Sequence, residues 1–226
     1  MNIGVLGTEA VGRTIAARLV EIGNTVKIGT RDPKKTLVRT EPDGMGGPPF
    51  SVWHQQNQKV NLVTFAEAAA FGEMIINATN GNAALAILEA AGESNLNGKV
   101  LVDITNLLDF SKGMPPTLSV SNTDSLGEQI QRVYPGVKVV KTLNKMTASL
   151  MVNPKQIADG NHSVFVSGND AAAKAQVSDL LQSFGWKEII DLGDISTARG
   201  VEMYLPLWLR LWGALGTGML NVRVVT

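Results

Sequence analysis

The residues whose types and spacing most clearly suit ligand binding form a short turn bounded by two glycines near the start of the chain. This turn follows the apolar run Asn2–Leu6 and precedes a helical pattern that continues to Gly23. A strand, a tight turn and a helix in this order leave backbone N–H groups free at the helix N-terminus, where they can hold a diphosphate. We therefore predict a dinucleotide-binding turn made by Gly7, Thr8, Glu9, Ala10, Val11 and Gly12.

Glu9 departs from the glycine pattern that is typical of such turns. The third position of the pattern is normally glycine, because the backbone there approaches the diphosphate closely. Glu9 adds a Cβ and a carboxylate next to two phosphate charges. Two outcomes stay open: the side chain points to solvent and only weakens binding, or it has disabled the site.

The end of the second predicted strand bears on which dinucleotide binds. Thr30 offers a hydroxyl and Arg31 a planar guanidinium, which suits the 2′-phosphate of NADP, and Lys34 and Lys35 add positive charge. Asp32 is the rival, since a carboxylate in this region would accept hydrogen bonds from the ribose hydroxyls of NAD. Pro33 favours a turn at this point, so Asp32 can also be a plain turn residue. We favour NADP(H), with Thr30, Arg31 and Lys35 as its ligands.

Strand-like apolar runs alternate with helical patterns along the chain, which is typical of a parallel sheet. The predicted strands are Asn2–Leu6, Thr25–Gly29, Val60–Val63, Met74–Ala78, Val100–Ile104 and Val137–Lys141. The predicted helices between them include Phe50–Gln56, one capped by Thr64 and Glu67 that runs to Ala70, Asn82–Ala91 and Ser125–Val133, while 41–49 is expected to be a flexible surface segment. The fold class is thus α/β, a Rossmann-type doubly wound parallel sheet.

Polar residues follow two of these strands, at the edge where ligands of doubly wound sheets bind. We expect Ala78, Thr79 and Asn80 after one strand and Asn106 after the next to contact the cofactor. The alternative for these residues is an ordinary turn, since Asn80 and Gly81 form a good turn without any ligand.

The last third of the chain predicts a smaller α/β extension. We place the boundary after residue 145, with 1–145 binding NADP and 146–226 serving substrate binding and dimerisation. Two strands, Ser163–Val166 and Glu188–Asp191, flank the helix Ala171–Phe184, and a long apolar helix, Val201–Leu220, follows. That helix is long enough to cross a bilayer. Glu202, Pro206 and Arg210 argue instead for a helix buried at an interface, and we expect a homodimer.

Composition excludes several classes of function. The 20 basic and 20 acidic residues cancel, so no global field attracts nucleic acid or an anionic membrane. The absence of cysteine excludes disulfides, a thiolate nucleophile and a thiolate metal site. His54 and His162 have no metal-ligand spacing, and we predict that they are structural or solvated. With a strand starting at once, we expect no signal peptide and a cytoplasmic protein.

Several blocks of the sequence together resemble the NADP oxidoreductase, coenzyme F-420-dependent family. These blocks are Gly29–Pro33, Thr105–Gly113, Thr123–Glu128, Val139–Asn144 and Leu205–Arg210. The resemblance implies a Rossmann domain that binds NADP(H), a small C-terminal domain, and a deazaflavin (F-420) or flavin docked against the nicotinamide. A related domain forms the cytosolic part of six-transmembrane metalloreductases. The Gly that the family has at position 9 is Glu9 in this chain.

Three functions fit these observations. The first is an NADP(H)-dependent oxidoreductase that transfers a hydride to or from deazaflavin F-420, FMN, FAD or another small acceptor. Since hydride passes directly between two rings, no acid or base is compulsory, and we assign no catalytic residue. The second is a non-catalytic NADP(H)-binding protein that senses redox state. The third, a hydroxyacid or imine dehydrogenase, usually needs a larger helical domain than remains here.

Overall fold

The computed structural model describes residues 1–44 and 46–226, which divide into two compact units, Met1–Leu101 and Val102–Thr226. The first unit alternates strands and helices. Its elements are β1 (Asn2–Leu6), α1 (Ala10–Glu21), β2 (Thr25–Thr30), α2 (Pro33–Val38), α3 (Phe50–Gln56), β3 (Val60–Thr64), α4 (Phe65–Phe71), β4 (Met74–Asn77), a 3₁₀ turn (Gly81–Ala83), α5 (Ala84–Ala91) and α6 (Glu93–Leu96), with β5 (Val100–Asp103) at the junction.

The sheet of the first unit is parallel and has β1 at its centre. In β1, Val5 lies opposite Ile28 of β2 and Ile76 of β4, and β3 pairs with the outer side of β2. All three of these apolar side chains are buried, because helices cover a parallel sheet on both faces. The complete sheet has six strands in the order β3-β2-β1-β4-β5-β8, where β8 is Lys138–Lys141, so the predicted doubly wound α/β fold is confirmed.

The second unit contains shorter strands and a long final helix. Its further elements are β6 (Leu108–Asp109), β7 (Thr117–Leu118), α7 (Leu126–Val133), α8 (Ala148–Val152), β9 (Ser163–Val166), α9 (Ala171–Phe184), β10 (Glu188–Asp191) and α10 (Ala198–Leu215). Strands β9 and β10 form a parallel pair around Val164 and Ile189. Lys141 at the end of β8 bridges Ser167, which ties β8 to the C-terminal elements.

The compact units divide earlier than the boundary that the sequence suggested after residue 145. The reason is that α7 and β8 pack with the C-terminal elements through long-range contacts such as the Lys141–Ser167 bridge. Sequence patterns do not predict such long-range contacts. The assignment of the last third to substrate binding and dimerisation stays a prediction.

Local signals predicted most elements within one or two residues. The capping box of Thr64 and Glu67 is present at the start of α4, with both reciprocal hydrogen bonds formed. The short helices α2, α6 and α8 and the β6–β7 hairpin were not predicted, since each is too brief to show a period. The start of helix α2 nonetheless has a sequence signal, because Asp32 is its N-cap and Pro33 lies in its first turn.

The final helix ends earlier than predicted. It stops at Leu215 instead of Leu220 because Gly216, with φ of 67°, adopts the left-handed conformation that closes a helix. Its face containing Val201, Leu205 and Trp208 is buried. Over the described part of the chain, every helix is too short or too polar to span a bilayer.

A buried cluster of three charged groups organises the second unit. Lys141 Nζ lies 2.8 Å from Asp103 Oδ2 and 2.9 Å from Glu202 Oε1, and all three side chains are almost inaccessible to solvent. Burial acts against the charge on Lys141, but the two carboxylates outweigh it and raise the pKa of this lysine. Glu202 also accepts hydrogen bonds from the backbone N–H groups of Leu126 and Gly127 at the start of α7. One carboxylate on α10 thereby holds both a strand and a helix.

We predict that Glu202→Gln lowers the free energy of unfolding by about 3–5 kcal/mol, because a buried ammonium loses one of its counter-charges. Urea denaturation at pH 7 measures this change. Glu89→Gln, at an exposed position of α5, is the matched control and should have almost no effect. Equal midpoints for the native protein and Glu202→Gln would show that the cluster does not hold the unit together.

Candidate nucleotide-binding groove

The turn between β1 and α1 is held by an unusually close approach of three backbone segments. Gly7 has φ of 110°, and a Cβ on this residue would lie 2.5 Å from the carbonyl oxygen of Ala78. A Cβ on Gly12 would lie 2.0 Å from the carbonyl oxygen of Gly7. Only glycine fits either position, so Gly7 provides the tight turn and Gly12 allows the helix to pack closely on the strand.

A cavity of about 360 Å³ opens above this turn, at the carboxyl ends of β1, β2 and β4. Its lining consists of Gly7, Thr8, Glu9, Ala10, Val11, Gly29, Thr30, Phe65, Ala78, Thr79, Asn80 and Ile87. The structure thus brings together nine of the residues predicted from the sequence. Phe65 and Ile87 were not predicted, and they give the cavity an apolar wall on which a flat ring can pack.

Glu9 stands at the N-cap of α1 but makes no capping hydrogen bond with its side chain. Its carboxylate instead lies 2.9 Å from Arg39 Nη2 and accepts a hydrogen bond of 3.3 Å from the backbone N–H of Gly44. The side chain is half exposed. Neither alternative drawn from the sequence anticipated these partners, and the effect of Glu9 on cofactor affinity stays a prediction.

The segment after α2 is anchored more firmly than its composition suggested. Within 41–49, Met45 lies outside the described residues. Asp43 is buried and accepts a 2.5 Å contact from Arg13 Nη2, while Arg13 Nη1 donates to the carbonyl of Pro48. The backbone N–H of Gly47 donates to Asp43 as well. A buried arginine of α1 therefore fastens this segment beside the dinucleotide turn.

A second cavity, of about 540 Å³, adjoins the first one and shares Thr30 with it. It is lined by Thr30, Arg31, Asp32, Pro33, Lys35, Thr36 and Arg39. Three cationic side chains against one carboxylate make this cavity a place for an anion. Arg39 was missed in the sequence because it lies well beyond the strand end where a phosphate ligand is normally sought.

The contacts inside the second cavity favour a phosphate over a ribose hydroxyl as its occupant. Asp32 Oδ1 accepts a hydrogen bond from the backbone N–H of Lys35 and so caps α2, which is the turn role that competed with a ribose contact. The hydroxyl of Thr36 donates to the carbonyl of Asp32 and lies 2.9 Å from the hydroxyl of Thr30. Arg31 is exposed and is one of the residues that line this cavity.

Of the residues after the strands, Thr79 and Asn80 reach the first cavity and Asn106 does not. Thr79 donates to Asn77 Oδ1 at 2.7 Å, and Asn80 caps the following 3₁₀ turn through the N–H of Asn82. Asn106 belongs to the second unit, where its amide exchanges hydrogen bonds with Asn144. Its amide is thus occupied by the protein, and its predicted cofactor contact remains untested.

Other polar residues of the chain have structural partners. His54 Nε2 bonds the carbonyl of Val60 and His162 Nε2 that of Pro154, in agreement with the structural role expected of both. Lys145 is buried between the rings of Phe165 and Tyr204, and burial lowers its pKa to about 7. Neither cavity described above includes Lys145 in its lining.

A parallel sheet with a glycine-bounded turn, a groove above it and a cationic cavity beside it defines a Rossmann-type dinucleotide-binding protein. The family described as NADP oxidoreductase coenzyme F420-dependent matches residues 2–107 of the chain. A solved structure from Arthrobacter sp. FB24, described as a candidate F420-dependent NADP reductase, is 60% identical, with a TM-score of 0.95 and all of both chains covered. The chain belongs to this family, and it is an NADP-dependent oxidoreductase.

Two curated relatives extend the comparison. The F420-dependent NADP reductase of Methanothermobacter marburgensis is 29% identical over 215 residues, which is 93% of this chain and 92% of that protein. Metalloreductase STEAP3 of Rattus norvegicus is 28% identical over 212 residues. The match covers 92% of this chain but only 38% of the metalloreductase.

We predict that Arg31→Ala weakens NADPH binding about tenfold to hundredfold, the value of a charge-assisted hydrogen bond, and leaves NADH binding nearly unchanged. Thr30→Ala should act in the same direction with a smaller effect, because its hydroxyl already bonds Thr36. Isothermal titration of both nucleotides measures these changes. Asp32→Ala is the control, and a selective loss of NADH affinity in that variant would reverse the assignment.

Proposed function

We propose that the chain binds NADP(H) along the two adjoining cavities and transfers a hydride between the nicotinamide and a deazaflavin of the F420 type. The observation that carries this proposal is the continuity of the groove at Thr30, where the cavity over the glycine turn meets the cationic cavity. A dinucleotide with a 2′-phosphate needs both features side by side.

In this proposal, each part of the cofactor has its own place in the groove. The diphosphate would be held by the N–H groups of the turn after Gly7, at the N-terminus of the twelve-residue helix α1. The 2′-phosphate would be held by Arg31, Lys35 and Thr30. Ala78 and Thr79 would border the nicotinamide half, because their small side chains leave room in the cavity.

The protein's own contribution to hydride transfer is orientation. The bound NADPH would supply a hydride, and the chain would have to hold the two reacting groups in a fixed orientation and exclude water. No side chain has to donate or accept a proton in this step. This agrees with a groove whose walls are backbone, small residues and apolar side chains.

The acceptor is proposed from the names of the relatives. The relative at 29% identity is described as an F420-dependent NADP reductase, and the solved structure at 60% identity is described as a candidate for the same activity. FMN, FAD or another small molecule is the alternative acceptor. A non-catalytic redox sensor is the second candidate function, and Glu9 favours it, because a carboxylate beside the diphosphate weakens cofactor binding.

We expect the purified protein to oxidise NADPH when oxidised F420 is added, with loss of nicotinamide absorbance at a rate proportional to enzyme concentration. Parallel reactions with FMN and FAD identify the acceptor. Gly12→Val is the matched inactive variant, since its side chain cannot fit against the carbonyl of Gly7. NADPH binding without turnover on any of the three acceptors would favour the sensor.

We also propose that the chain forms a homodimer through α10. Met203, Leu207, Leu211 and Leu215 recur every four residues and so lie on one side of this helix. Leu207 is 54% exposed and Leu215 is 62% exposed, which is unusual for a stripe of leucines. An apolar groove of about 520 Å³, lined in part by Leu209 and Trp212, lies on another side of the same helix.

We predict that Leu207→Glu converts a dimer into a monomer, because the charge would be buried in the interface without a partner. Light scattering at micromolar concentration measures the mass. Val133→Glu on α7, where the valine is 53% exposed, is the matched control and should stay dimeric. A native protein with the mass of a monomer would exclude this interface.

A further inference from the structure

Arg39 connects the two cavities of the proposed cofactor groove. It follows the last residue of α2, and its side chain lines the cationic cavity together with Arg31 and Lys35. Its Nη2 lies 2.9 Å from Oε1 of Glu9, which lines the cavity over the glycine turn. One guanidinium therefore faces the place assigned to the 2′-phosphate while it is paired with a carboxylate at the place assigned to the diphosphate.

The remaining groups around Arg39 do not use up its hydrogen-bonding capacity. Its Nε is buried and has no hydrogen-bond partner among the described residues. Of the described residues that line the cationic cavity, only Asp32 carries a carboxylate, and it caps α2 and lies 3.9 Å from Lys35 Nζ. An anion in this cavity would thus contact the guanidinium group of Arg39, whose hydrogen-bond donors are only partly used.

We propose that Arg39 is a second ligand of the cofactor 2′-phosphate and that Glu9 holds this arginine when the groove is empty. Binding of NADP(H) then exchanges one ion pair for another: Arg39 leaves the carboxylate and takes the phosphate. NADH has no 2′-phosphate and leaves the Glu9–Arg39 pair in place. This inference rests on the proposed NADP(H) site and adds to it a residue that sets the preference for NADP(H) over NAD(H).

Physical chemistry favours the exchange in this direction. The side chain of Glu9 is 50% exposed and that of Arg39 is 33% exposed, and an ion pair with that exposure is weak because water screens it. A phosphate monoester carries close to two negative charges and presents three oxygens, which match the guanidinium fork better than one carboxylate oxygen does. The ion pair with Glu9 can therefore orient Arg39 in the empty groove and still be broken when a phosphate binds.

Glu9 then has two separable effects on binding. Its charge repels the diphosphate, which NADPH and NADH share, so this effect is equal for the two nucleotides. Its pairing with Arg39 competes with the 2′-phosphate, which only NADPH carries. Comparing the two nucleotides isolates the second effect, and combining substitutions at both positions shows whether it acts through Arg39.

The test is a double-mutant cycle of Glu9→Gln and Arg39→Ala, with NADPH and NADH titrated calorimetrically against the native protein and all three variants. Arg39→Ala should weaken NADPH binding roughly tenfold, because the phosphate contact is lost and only the weak ion pair with Glu9 offsets its contribution. The affinity for NADH should be nearly unchanged. Glu9→Gln should tighten NADPH more than NADH. In the Arg39→Ala background, Glu9→Gln should affect the two nucleotides equally.

Arg18→Ala is the matched control, because Arg18 also forms a partly exposed ion pair, with Glu21, and lines neither cavity. It should change neither affinity. Retained NADH binding shows that a variant is folded. The exchange is overturned if Arg39→Ala lowers the affinity for both nucleotides equally or lowers neither. The proposed function still stands in that case if Arg31→Ala lowers only the affinity for NADPH. If the native protein binds neither nucleotide at millimolar concentration, both proposals are overturned.

Discussion

The close approach of backbone segments at the glycine turn is the constraint on which the first unit depends. Gly7 packs on the carbonyl of Ala78 and Gly12 packs on the carbonyl of Gly7, at distances that exclude any Cβ. This packing draws the N-terminus of α1 onto the ends of β1 and β4. The first residues of that helix, Ala10 and Val11, therefore line the cavity in which we propose that the diphosphate binds.

The third position of the turn is outside that packing, and this explains how the fold accepts Glu9. The residue has extended backbone angles, which need no glycine, and a half-exposed side chain. Its carboxylate accepts hydrogen bonds from Arg39 and from the backbone N–H of Gly44. The segment that contains Gly44 is anchored by Arg13, which donates to the carbonyl of Pro48. The family likeness survives this departure because the structural glycines are the outer two.

The second unit depends on a different interaction, the burial of three charges around Lys141. An ammonium with two carboxylates in a nearly dry interior is costly unless every group is paired, and here the backbone of α7 satisfies Glu202 as well. The cluster joins the end of β5, strand β8 and helix α10. Its members stand far apart in the chain, which is why the compact unit begins at Val102 and includes elements that the sequence had placed in the first domain.

Local chemistry in the sequence determined the order of strands and helices, the glycine turn and the capping box at Thr64. Each of these depends on residues within a few positions of one another, so spacing alone reveals them. The tertiary structure alone decided the partner of Glu9, the position of Arg39 in the cationic cavity and the anchoring of Asp43 by Arg13. Arg39 and Glu9, like Arg13 and Asp43, are separated by 30 residues, and only the folded chain brings such charges within hydrogen-bond distance.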